Sequence, residues 1–460
     1  MKFQILLVLF FFQAPTCLQA QLFEKGVIID TVPLISKPDE SFALYLPLSF
    51  EQQAPNAVVF VFDPVGRGKI GIKPFIEAAE AYQLIVVCSN NSRNAAYENN
   101  FEIAQRWFDD VFARFNIDSN LIYAAGFSGG SRLASTIGVL SGAFKGVIGC
   151  GASFSGNPGQ VPYAKDHFYY FGLVGTLDMN YQEMLKARQW LNRISLPNEI
   201  VRFDGKHQWP DARNIILAFH WFRLQDINNN LHPKDQAFLE SYITDRLANA
   251  HDAMRRQQTI EAVEDYEHIL KNLNQHFELD SISTRLEQLK KSREYKKALR
   301  ERDRIVSLEN QWTEKLIDRF QLELDLETPP DDFRWWQKEM SRLQEDYINS
   351  QEPLLREMGI RLQNMITAFA LENLEFAVLQ NNRKEVSYYV LMIDANWPEN
   401  AYMQFRIARA YAAFGMDAEA LVHLKQAVAK GWKDKSWILK DKVFKSLAGQ
   451  EEFQMILEQM

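Results

Sequence analysis

After its first twenty residues the chain has no apolar run of membrane-spanning length, and it has few cysteines, no basic excess and no cluster of metal-ligating side chains. Each absence removes a class of function. A bilayer span needs roughly 18 or more consecutive apolar residues, so no integral membrane span is expected. Only Cys88 and Cys150 lie beyond residue 20, which excludes a disulfide framework. A net charge of −8 gives no general attraction for nucleic acid or an anionic membrane. No His, Cys or carboxylate group has ligand spacing, so no metal is expected.

What is present describes a globular protein. The 47% hydrophobic and 24% charged content is unlike a disordered or collagen-like chain, and 460 residues exceed what one core organises, so at least two domains are expected. The N-terminus stands apart. Lys2, the apolar stretch Ile5 to Phe12, and Ala14-Pro15-Thr16-Cys17-Leu18-Gln19-Ala20 read as a secretory signal over residues 1–20. Cleavage after Ala20 would leave Gln21 first, in a protein exported to the periplasm or the cell exterior. A lipid anchor at Cys17 is the alternative, disfavoured by Ala14 and Pro15 just before it.

From Val27 to Phe222, short β-branched runs alternate with amphipathic stretches, the pattern of a mostly parallel sheet covered by helices. Eight strands are predicted, at 26–30, 41–46, 57–62, 84–88, 121–125, 146–151, 167–174 and 199–203. Helices are predicted at 74–82, 97–115, 131–140, 181–193 and 212–224. In such a sheet Cys88 and Cys150 lie on strands separated by two others, about 14 Å apart and beyond disulfide reach. The polar stretch Gln225-Asp226-Ile227-Asn228-Asn229-Asn230-Leu231-His232-Pro233 marks a boundary between an α/β domain over 21–228 and an all-α domain over 229–460. Within the latter, Ile407, Ala408, Ala410, Tyr411, Gly415, Ala420, Leu424 and Ala427 have the spacing of one tetratricopeptide-like repeat, with Gln404 standing where a large apolar residue is usual. Weaker echoes elsewhere suggest a helical-repeat stack rather than an unrelated helical bundle; such a stack either binds a protein partner or simply packs on the α/β domain.

The run Gly126-Phe127-Ser128-Gly129-Gly130 has the G-x-S-x-G form, fed by an apolar strand and followed by an amphipathic helix. That context fits a nucleophile held in a strained turn, with glycines allowing strand and helix to pass closely. A serine hydroxyl needs a base to activate it and a carboxylate to orient the base. Asp178, after the seventh strand, and His207, after the eighth, supply these in order. Asp204 and Asp166 are the alternative acids. His167, His220, His232, His251, His268, His276 and His423 are poorer bases by position. An oxyanion would take one N–H from Gly129 and a second from the loop Asp63-Pro64-Val65-Gly66, where Val65 is the first candidate and Gly66 the second. The polar run Ser89 to Asn94 leaves two readings open, a substrate-site lining or a solvated loop.

Together these residues resemble the α/β-hydrolase superfamily, and within it exported esterases of the polyhydroxybutyrate-depolymerase and feruloyl-esterase-like group, over about Val27 to Phe222. The resemblance is carried by the Gly-x-Ser-x-Gly run and the late Gly205-Lys206-His207-Gln208-Trp209-Pro210. It implies that the eight-stranded mostly parallel sheet is an α/β-hydrolase sheet, which the pattern after residue 228 extends with an all-α helical-repeat domain. It also implies Ser128 as nucleophile, Asp178 as acid and His207 as base in a carboxylic-ester hydrolase needing no cofactor. A small-molecule or polymeric ester is the expected substrate, since only 152–166 separates the sixth and seventh strands and leaves no room for an inserted lid. A serine peptidase with the same triad, or an interaction protein whose repeats bind a partner, are the alternatives. The chain departs from that group at Asp63-Pro64, where a His-Gly pair is usual.

Overall fold

The apolar pattern decides where each strand sits. Asn56–Phe62 is buried along its whole length. Val58, Phe60 and Phe62 enter one core cluster while Val59 and Val61 enter another, the period-two, two-sided burial of a central strand covered on both faces. A computed structural model describes residues 23–327, 330 and 332–460. The chain divides into two units, 1–301 and 302–460.

The first unit holds an eight-stranded sheet: β1 (Ile28–Pro33), β2 (Ser41–Tyr45), β3 (Asn56–Phe62), β4 (Leu84–Ser89), β5 (Ile117–Phe127), β6 (Gly146–Cys150), β7 (Tyr169–Gly175) and β8 (Asn198–Phe203), in the order β1-β2-β4-β3-β5-β6-β7-β8. β2 pairs antiparallel with β1 and β4, and every other pairing is parallel. The expected mostly parallel sheet is therefore present. Cys88 on β4 and Cys150 on β6 are separated by β3 and β5, and both are free and buried. Burial pushes both thiols well above their ordinary range.

Helices α1 (Gly68–Ile72), α2 (Ile76–Tyr82), α3 (Tyr97–Arg114), α4 (Gly129–Ser141), α5 (Tyr181–Arg193) and α6 (Ala212–Asn228) follow in chain order. Trp107 and Phe108 of α3, Leu133 and Ile137 of α4, and Met184 and Leu191 of α5 fill one face. Ala78 and Ala79 of α2 and Phe219 and Phe222 of α6 fill the other. Only α1 has no counterpart among the expected helices.

Three more helices, α7 (Gln236–Arg255), α8 (Thr259–Leu273) and α9 (Asp280–Lys291), belong to this first unit, although the sequence boundary stood at 228/229. They share a core cluster with Leu224 and Ile227 of α6. Polar ties add to it: Glu199 of β8 meets His268 at 3.0 Å and Arg246 at 3.5 Å, and Glu264 takes Arg188 at 3.2 Å and also pairs with Arg202. Such ties cross between elements and leave no periodic mark in a sequence.

The division between units falls within α10 (Arg293–Asp325). The second unit continues with α11 (Arg334–Arg342), α12 (Pro353–Leu379), α13 (Arg383–Asn396), α14 (Ala401–Ala413), α15 (Asp417–Ala429), α16 (Lys435–Lys440) and α17 (Glu451–Glu458). Ala408 of α14 and Ala420, Leu424 and Ala427 of α15 are buried in one cluster, the close approach their small size allows. Gln404 is fully buried without being apolar. Its amide donates to Asp394 Oδ1 at 2.8 Å, and its oxygen lies 2.7 Å from His423 Nδ1. Among the described residues no helix is long and apolar enough to cross a membrane. The expected signal segment, with Cys17, lies outside the described residues.

Candidate active site

Strand β5 ends in the tight turn the glycines permit. Ser128 has φ 54° and ψ −123°, a positive φ that side chains normally avoid. Its N–H is fixed to the Cys150 carbonyl at 2.8 Å. A Cβ on Gly126 would lie 2.1 Å from the Gly130 carbonyl oxygen, and one on Gly130 would lie 2.1 Å from that of Phe62. No larger residue fits either place without moving backbone.

The structure brings together the three side chains expected from sequence. The Ser128 hydroxyl donates to His207 Nε2 at 2.8 Å, and His207 Nδ1–H donates to Asp178, 2.9 Å from each carboxylate oxygen. That tautomer follows from the partners, since an ionised carboxylate only accepts. Asp178 is fully buried and Ser128 is 9% exposed. His207 rests on the Phe127 ring at 4.6 Å. The alternative acids are elsewhere: Asp204 is exposed, and Asp166 accepts from the Tyr163 N–H at 2.7 Å.

Neighbouring loops hold this chain in place. The Leu177 N–H donates to the Gly205 carbonyl at 2.9 Å, joining the Asp178 loop to the His207 loop. The Asn180 N–H donates to Asp178 Oδ1 at 2.8 Å, and its amide donates to the Gly151 carbonyl at 2.7 Å. Arg132, one turn along α4, forms a two-pronged pair with Glu183 at 3.2 and 2.7 Å, and Glu183 also accepts from Ser153. Sequence reading missed Asn180 and this brace, because neither has a recognisable spacing.

The loop after β3, where the second oxyanion donor was expected, is held by its own aspartate. Val65, expected as the second donor, spends its N–H on Asp63 Oδ1 at 3.0 Å, and the Gly66 N–H goes to the Asp63 carbonyl at 3.2 Å. The buried Asp63 carboxylate also accepts from the Arg67 N–H, from the Arg67 guanidinium at 3.0 Å twice, and from Trp209 Nε1 at 3.0 Å. Asp63 is thus a clip joining the loop after β3 to the His207 loop. The Asp63-Arg67 spacing of four was the available signal. At the start of α4, the Gly129 and Gly130 N–H groups have no acceptor among the described residues.

A cavity of about 190 Å³ opens beside these two glycines, with Asp63, Ser92, Arg93, Asn94, Tyr97 and Leu133 among its walls. The polar run after β4 therefore divides: Ser92 to Asn94 reach the cavity, while the Asn90 side chain is tied to the Gly68 N–H and the Asp30 carbonyl.

No protein-family model matches the chain, and no curated protein matches it. Among solved structures, it is similar to an S-formylglutathione hydrolase from Staphylococcus aureus at 18% identity, over 44% of this chain and 98% of that one, with a TM-score of 0.37. It is also similar to a fluorophosphonate-binding serine hydrolase of the same organism (16% identity, 43% and 99% of the chains, TM-score 0.35). A third is a feruloyl esterase module from Clostridium thermocellum (15% identity, 42% and 88%, TM-score 0.34).

Proposed function

We propose that this protein is an α/β-hydrolase-fold serine hydrolase that cleaves carboxylic esters through an acyl-enzyme, with Ser128 as nucleophile, His207 as general base and Asp178 as its orienting acid. The observation that carries the reading is the hydrogen-bonded line from Ser128 through His207 to a buried Asp178. It is supported by the strained turn at Ser128. In the first half-reaction Ser128 Oγ bonds to the ester carbonyl carbon and its proton passes to His207 Nε2. The negative oxygen meets the Gly129 N–H, the C–O bond breaks, and the alcohol leaves with the proton from His207. In the second, water gives a proton to His207 and bonds to the acyl carbon, the free acid departs, and Ser128 recovers its proton. Asp178 stays ionised and holds the imidazole in the required tautomer. No cofactor is required for these steps.

Fluorophosphonate labelling that disappears in Ser128→Ala, together with turnover of short 4-nitrophenyl esters over aminoacyl amides, is the expected result. Turnover of the amides in preference would make the protein a peptidase. Export is part of the proposal: mature protein recovered from a periplasmic or secreted fraction should begin at Gln21. The buried small residues between α14 and α15 support a tetratricopeptide-like hairpin, and with it a protein-binding role for the helical region.

A further inference from the structure

Arg93 and Asn94 sit in a turn that is built with unusual care for an exposed segment. The Arg93 N–H donates to Asn100 Oδ1 at 3.2 Å, and the Arg93 carbonyl accepts from Asn100 Nδ2 at 2.9 Å. Ser92 Oγ donates to the same Asn100 oxygen at 3.1 Å, and Ser92 and Asn100 are both buried. The Asn94 N–H is fixed to the Pro64 carbonyl at 2.7 Å, joining the turn to the oxyanion loop. Two buried polar side chains and a neighbouring loop thus fix the backbone of two residues whose own side chains are left available.

Both residues line the cavity beside Gly129. The Asn94 amide lies against Gly129 so closely that a Cβ there would stand 1.9 Å from its Oδ1. It has no hydrogen-bond partner among the described residues. Arg93 meets no carboxylate among them, and its Nε donates only to the Asn91 carbonyl at a long 3.4 Å. The Asp63 carboxylate in the same wall is taken up by Arg67, Trp209 and the Val65 N–H. The cavity therefore presents an uncommitted guanidinium and an uncommitted amide above walls formed partly by Leu133 and Tyr97.

Geometry also says which half of an ester would occupy it. The leaving oxygen must lie by His207, which protonates it; neither Ser128 nor His207 nor any residue of the His207 loop borders the cavity, whereas Gly129, whose N–H would meet the oxyanion on the acyl carbon, does. The acyl half goes there. We infer that the Arg93-Asn94 turn is an acyl-anion subsite, selecting esters of short acids whose far end carries a carboxylate or an equivalent anion. This rests on the serine-esterase reading above. A guanidinium held in a fixed turn suits a carboxylate, which it can meet with two parallel N–H donors.

The test uses the full-length protein and two esters of matched length, mono-4-nitrophenyl glutarate and its neutral methyl ester, each rate normalised to hydroxide-catalysed hydrolysis. Wild type should favour the free acid by about tenfold in kcat/KM, through KM, with the preference falling as salt rises. Arg93→Gln should bring the ratio near one, Arg93→Glu should invert it, and Arg93→Lys should restore part of it. Equal use of the two esters by wild type, or a ratio unmoved by Arg93→Gln in folded protein, would overturn the inference while leaving the esterase reading intact. If neither ester is hydrolysed and Ser128 takes no fluorophosphonate, both fail together.

Discussion

Polar groups are buried in both units, but they end differently. In the second unit two clusters join helix to helix: the Arg361 guanidinium meets both Glu309 oxygens at 2.7 Å, and Glu323 accepts from Trp336 Nε1 at 2.8 Å and the Tyr388 hydroxyl at 2.9 Å. In the first unit the line from Asp178 through His207 stops at a serine hydroxyl, on a strained turn beside a cavity. A second line in the first unit serves as an internal control. The Tyr242 hydroxyl lies 2.8 Å from His268 Nε2, and His268 Nδ1 lies 3.0 Å from Glu199. It has a hydroxyl, an imidazole and a carboxylate in order, yet Tyr242 and His268 sit on regular helices, and burial helps push the Tyr242 hydroxyl up to about 12. The difference teaches that composition alone does not make a site. A network set on regular helices knits elements together, whereas an open end on strained backbone is available for chemistry.

The comparison can be broken at either side. The largest effect is expected from His207→Ala, which should lower kcat/KM for a 4-nitrophenyl ester by about 10,000-fold without moving the thermal midpoint, and Asp178→Asn should fall about 1,000-fold or more. Tyr242→Phe in the control line should leave that rate within about twofold. Next comes Glu309→Gln, which takes the charge of its two-pronged partner from the buried Arg361 and should remove about 3 kcal/mol from the stability of the second unit, read by urea unfolding. A loss under about 1 kcal/mol would show that the pair is not structural. Asn180→Ala, which frees the Asp178 loop from the Gly151 carbonyl, should cost about tenfold in kcat with KM little changed.

The smallest effect is in pH dependence. Burial works to raise Glu199, but His268 and Arg246 outweigh it and hold the carboxyl down to about 2 from an ordinary 4.5. A lowered carboxyl stabilises the fold fully above pH 4.5, and the contribution is lost as pH falls toward 2. Glu199→Gln should therefore be less stable than wild type near pH 7, and urea midpoints of the two should converge below about pH 4.5. A difference that stays constant with pH would show that its charge does not matter.

Much of this was legible in the sequence. All eight strands were found within a few residues, because central strands such as Ala57 to Phe62 are apolar on both faces. The order of Ser128, Asp178 and His207 along the chain, each after a strand, placed them at the carboxyl ends of the strands. β1 begins later than expected because Gly26, at φ 73°, is a turn and not a strand residue. β5 begins earlier, at Ile117, because the overhang Asp118 to Asn120 is polar, with Ser119 and Asn120 exposed, and carries no apolar pattern. The hydrogen bond that occupies the Val65 N–H depends on where the Asp63 side chain turns, which no spacing records. The helices from 236 to 291 join the first unit through contacts with β8 and α6 made between residues distant in sequence.

The central claim is that the open end of the hydrogen-bonded line is a nucleophile. Incubation of the purified protein with a fluorophosphonate, followed by intact mass and peptide mapping, tests it most directly. A single adduct on Ser128 is expected, absent from Ser128→Ala and strongly slowed in His207→Ala. Folded wild-type protein that takes no label, or takes it at Tyr242 or another hydroxyl, would contradict it.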